Sequence, residues 1–354
     1  MRTISFATVV VALCFAGALS AQTSSPAAAA AYLDARMSWW MTWSGAARDH
    51  GTFCVSCHTA APYAMGRPAL RAALGEQAPS AVERKFLDNV TKRVHMWKEV
   101  EPFYPDATRG VPKTAESLGT ESILNALILA NYGTPDAGMA LDNMWAEQLK
   151  AGDAKGAWAW LQFHNSPFEG DSQYYGATLA AIAVGIAPGH YRDTPEIQDG
   201  LKLLREYLVR ECASQVPIDR VTLLWASAKI PGLLTPAQQK AIADEALAKQ
   251  EPDGGFSLSA FVGGWTRHDK TPLETKSDGY ATGLVAFALE QTGMSHDQPQ
   301  LKRALAWLSQ NQDKTEGRWL AYSLNKQRDL SSDAGKFMSD AATAYAVLAL
   351  QGSK

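Results

Sequence analysis

Five stretches of this 354-residue chain read alike, and they restrict the fold more than anything else in it. They cover residues 122–133, 178–189, 222–232, 282–293 and 343–352, and each is an apolar run closed by glycine. A run without a polar stripe predicts a helix buried nearly all round, and the closing glycine is a helix C-terminal signal. Between them, residues 137–151, 195–211, 236–249 and 299–309 space their apolar residues for helices buried on one face only. The unit is therefore a pair of helices of unequal wetness, repeated. Wholly apolar helices need cover on every side. An inner and an outer ring supply it, so the sequence predicts an all-α fold, an α/α toroid of about five helix pairs.

Three of the outer helices end in a related signature: Gln148 with Gly156-Ala157-Trp158, Gln250 with Gly254-Gly255-Phe256, and Gln310 or Gln312 with Gly317-Arg318-Trp319. Over residues 110–352 this resembles the squalene-hopene cyclase and prenyltransferase-like toroid superfamily, whose glutamine-tryptophan repeats tie neighbouring outer helices together. The catalytic groups of that superfamily do not accompany the resemblance. No Asp-x-Asp-Asp cluster occurs, and Cys212 is the only cysteine of the toroid, without an Asp-x-Cys beside it. Both activities are disfavoured, since a fold alone carries no function.

Ahead of the repeats lies Cys54-Val55-Ser56-Cys57-His58. Two cysteines three positions apart with a histidine directly after are spaced to bind the two vinyl groups of one haem and ligate its iron. Competing readings are a local disulfide, a thioredoxin-like redox pair and half of a zinc site. No second Cys-x-x-Cys completes a zinc ribbon, and no strand pattern surrounds the motif. Over about fifteen residues the stretch resembles c-type cytochromes, which implies one covalent haem c held by Cys54, Cys57 and His58. Arg67 is placed for a haem propionate, with a surface salt bridge as its plainer reading. A capping box, Ser80 with Glu83, starts a helix whose stripe is Val82, Phe86, Val90, Val94 and Trp97. On its flank His95 is the leading candidate for the distal iron ligand, with His50 next.

Arg2, the apolar run 4–19 and the small residues before Gln22 read as a signal peptide, residues 1–21, cleaved near Ser20 or Ala21. The expected location is periplasmic or secreted, with no membrane span. Residues 22–110 then form a helical haem-binding segment and 111–354 the toroid, joined through the proline-rich stretch 102–112. A net charge of −3 gives no electrostatic case for nucleic acid.

Glu121, Asp219, Asp278 and Asp340 recur near the starts of inner helices, where they would ring one mouth of the toroid. Helix capping competes with substrate binding as their reason. Trp158, Trp160, Tyr174, Tyr175, Trp265, Tyr280, Trp319 and Tyr322 lie near the same mouth. His164 and His268 are candidates for acid-base work there, with Asp278 and Asp340. The sequence thus favours a monohaem electron-transfer protein whose toroid docks a redox partner protein or a small apolar molecule. The alternative is a haem-containing enzyme acting on an isoprenoid-like or glycan-like substrate in the toroid cavity, and a scaffold or sensor without turnover is a third reading.

Overall fold

The computed structural model describes residues 24–351, so the expected signal peptide lies outside the described residues. Thirteen α-helices follow one another: α1 Pro26–Thr42, α2 Ala60–Leu74, α3 Ala81–His95, α4 Asp106–Arg109, α5 Lys113–Tyr132, α6 Ala137–Ala146, α7 Tyr174–Ile186, α8 Gln198–Glu211, α9 Pro217–Lys229, α10 Pro236–Leu247, α11 Gly279–Gln291, α12 Pro299–Gln310 and α13 Phe337–Gln351. A small antiparallel hairpin, β1 Ala47–Arg48 and β2 Thr52–Phe53, precedes the cysteine motif. Among the described residues no helix is long and apolar enough to cross a membrane.

The expected toroid is present. Its inner ring is α2, α5, α7, α9, α11 and α13, each packed on the next, with α13 returning to α2. In α7 every residue from Tyr174 to Val184 is buried, whereas outer α12 buries only Leu301, Ala304 and Leu308. The outer helices α1, α3, α6, α8, α10 and α12 lean on this ring.

The N-terminal segment supplies the sixth pair, α1 with α2, and shares the core of the other five. α2 does not read as one of the apolar repeats because Pro62, Gly66, Arg67 and Pro68 interrupt its apolar run, although Ala60 to Arg67 are all buried. Gly66 is what lets α2 close on α13. A Cβ there would lie 3.1 Å from the Ala344 Cα.

Outer and inner helices alternate along the chain, so the six inner helices run in one direction and their N-termini share one mouth. The glutamine signature ties the outer ring. Gln148 Nε2 donates to the carbonyls of Gly156 and Gly200, Gln250 Nε2 to those of Gly254 and Gln300, and Gln312 Nε2 to those of Gly317 and Ser25. Each thus joins the end of one outer helix to the start of the next, and Gln312 closes the circle onto α1. Of the two glutamines the signature allowed, Gln312 makes the tie. Gly156, Gly254 and Gly317 adopt positive φ and lie against the next helix, so a Cβ at Gly317 would meet the Ala28 carbonyl oxygen at 2.4 Å.

Candidate functional site

The long connections run from outer to inner helices, over residues 147–173, 248–278 and 311–336. All therefore meet at the mouth where the inner helices begin. One cavity of about 260 Å³ opens among them, lined by Ser166, Asp171, Ser172, Tyr175, Gln215, Asp219 and Trp265, with others. Asp219 lies in the first turn of α9 and is only 9% exposed. Its carboxylate accepts no hydrogen bond among the described residues, while neighbouring Arg220 is taken by Glu245. Burial pushes the carboxyl up to about 7, against the pull of Arg220. Asp171, the second carboxylate of the cavity, is open to water and bonded by His164 Nδ1 at 2.9 Å.

The other acids near the inner helices are occupied. Asp278 caps α11, accepting from the backbone N–H groups of Tyr280 and Ala281, and also takes that of Leu258. Burial still holds it near 7, opposed by those bonds. Asp340 is buried and accepts from Tyr32, Arg36 and Thr59. Glu121 lies inside α5, paired with the buried Arg93. Asp278 and Asp340, expected as catalytic candidates, therefore serve as a cap and a buried junction. Glu169, which no sequence motif singles out, is a carboxyl pushed to about 7 by burial.

The Cys54–His58 loop is the connection from α1 to α2 at this same mouth. Cys54 and Cys57 are buried free thiols, and burial raises both pKa values, Cys54 to about 11. His58 Nδ1 lies 2.9 Å from Thr59 Oγ1, whose hydroxyl donates to Asp340 at 2.7 Å. The chain of bonds fixes the Nδ1–H tautomer and leaves Nε2 bare, while burial lowers the imidazole to about 3 and keeps it neutral. Cys54, Cys57 and His58 are the two thiols and the imidazole that would hold a covalent haem if one were attached. The thiol and the imidazole line different spaces, however. Cys54 borders a cavity of about 880 Å³ with Trp40, Trp43, Arg48, Phe103, Tyr104 and Arg109, and His58 a small one of about 30 Å³ with Phe168, Arg328 and Phe337.

The remaining haem candidates are placed elsewhere. His95 ends α3 half-exposed and bonds Asp136 at 2.7 Å. Arg67 is buried and pairs with Asp34 and Glu76. His164 and His268 do come together, ring centroids 4.9 Å apart, and His164 stacks on Trp265 at 4.0 Å. His164 and Asp171 share one loop and Trp265 lies on the loop of another repeat, and no sequence signal links the two loops.

Three solved glycosidase variants resemble this chain, each over 93% of it and 98% of their own length. One has a TM-score of 0.50 at 11% identity; two others, one of them in complex with glucose, have TM-scores of 0.48 and 0.49 at 12%. At such identities the likeness is one of fold. No protein-family model and no curated protein matches the sequence. The electron-transfer reading is corrected by these findings. The motif is a loop of a toroid related in fold to glycosidases, His95 and Arg67 are committed elsewhere, and the described residues contain no group of three or more His, Cys, Asp or Glu placed to hold a metal ion.

Proposed function

We propose that the protein is a glycan-processing enzyme that cleaves a glycosidic bond in the cavity beside Asp219. The observation that carries this is a buried, unpaired carboxyl near pKa 7 sharing a cavity with a second, water-exposed carboxylate and an indole face. Glycoside hydrolysis uses two such acids, one protonated at neutral pH and one ionised. Asp219 donates its proton to the glycosidic oxygen as the bond to the anomeric carbon breaks. Asp171 attacks that carbon or takes a proton from the attacking water. Trp265 offers an apolar ring to a sugar face. The fold likeness to a glycosidase supports the same reading.

The test is turnover of 4-nitrophenyl glycosides and release of reducing ends from oligosaccharides by the full mature chain. Asp219→Asn is expected to lower kcat by about 10²- to 10⁴-fold, the usual contribution of a general acid. Absence of turnover by the wild type across the panel overturns the reading.

A haem c on Cys54, Cys57 and His58 is a separate proposal, supported by the two free thiols and the fixed neutral imidazole. The absorption spectrum of the full chain, matured alongside a control cytochrome, decides it: no Soret band overturns it.

A further inference from the structure

We infer that His164 is a positioning residue of this site, setting both the carboxylate of Asp171 and the indole plane of Trp265; the inference rests on the glycosidase reading. His164 sits in the left-handed region at φ 49°, where non-glycine residues are uncommon and histidine is among the better tolerated. Such a backbone persists when its surroundings determine it, and three loops do so here. Asn165 and Glu169 pair their backbones just after it. Asn325 Nδ2 reaches the His164 carbonyl at 3.4 Å, and His268 N donates to the Asn325 carbonyl at 2.9 Å. From this fixed point the imidazole does two things. Nδ1 bonds Asp171 Oδ2 at 2.9 Å, and the ring lies on Trp265 at 4.0 Å, tilted only 17°. Trp265 is pinned from its other end by Nε1 donating to the Leu324 carbonyl at 2.9 Å. One face of the indole is thus covered by His164, and Trp265 still lines the cavity together with Asp171 and Asp219.

A side chain that touches no reacting atom but holds both the base and the platform acts on binding and on chemistry together. His164→Gly keeps the left-handed backbone and removes both contacts. His164→Asn also tolerates that backbone and retains a short polar group for Asp171, but has no ring to stack. On whichever 4-nitrophenyl glycoside the wild type hydrolyses, His164→Gly is expected to raise KM at least ten-fold and lower kcat at least ten-fold. His164→Asn is expected to recover kcat and leave KM high. The thermal midpoint is expected to stay within about 2 °C of the wild type, because the imidazole side chain is 40% exposed. An active wild type with kcat and KM of both variants within two-fold of it overturns the inference and leaves the glycosidase reading standing. Equal losses of kcat in the Gly and Asn variants overturn it too. An inactive wild type overturns the reading on which the inference rests.

Discussion

Asp219 is the residue whose chemistry depends most on where the chain puts it. An aspartate two residues into a helix after proline reads as a capping acid, yet it accepts no hydrogen bond and is buried instead. Its carboxyl titrates near 7 in the folded chain and at about 3.8 when unfolded. Between those values the folded state binds a proton that the unfolded state has lost. Its contribution to stability is therefore full below about pH 3.8 and vanishes as pH rises through 7. Asp219→Asn removes that dependence. Its thermal midpoint is expected to exceed that of the wild type at pH 8, by the equivalent of a few kcal/mol, and to match it at pH 4. Scanning calorimetry at the two pH values checks this, and an unchanged difference between them refutes it. Asp278 shows the other outcome for the same residue type, since three backbone N–H groups already occupy it.

At the scale of elements, three of the junctions between outer helices are tied by glutamine side chains reaching over helix ends. Gln312 accepts from the Ser25 N–H and donates to the carbonyls of Ser25 and Gly317. Gln312→Ala takes their partner from the Ser25 N–H and from the buried Gly317 carbonyl, at a cost of about 1–3 kcal/mol. Amide exchange at the start of α1 is expected to quicken with it, whereas Gln310→Ala changes neither quantity. A Gln310 variant that loosens α1 as much as the Gln312 variant would reverse this assignment. Glycine supports the tie, because the chain at Gly317 must pass within contact of Ala28.

For the whole molecule the decisive fact is closure. α2 sits between α13 and α5, and Asp340 of α13 is satisfied only by Tyr32, Arg36 and Thr59 from the first pair. A chain lacking residues 1–75 would uncover the apolar flank of α13 and strand a buried carboxylate. It is expected to show no cooperative thermal transition by circular dichroism. A sharp transition near that of the full chain would mean that five pairs suffice.

The periodicity of the sequence by itself determined the helices and their division into inner and outer sets, because a helix wet on one side and a helix dry all round differ in composition. The glutamine signature marked the ends of three outer helices, while the carbonyls that complete each tie lie at the start of the next outer helix, which only the fold brings close. Local spacing marked Cys54, Cys57 and His58 as a unit as well. Only the tertiary structure decided that α2 completes the ring, because the close approach at Gly66 and the buried Arg67 carry no apolar signature. It alone paired His95 with Asp136, and Arg67 with Asp34 and Glu76. And it alone brought the loop that carries His164 and Asp171 together with Asp219 of α9 and Trp265 of a later loop. Burial and proximity set the protonation of such groups, and both come from packing between distant segments, which no local pattern encodes.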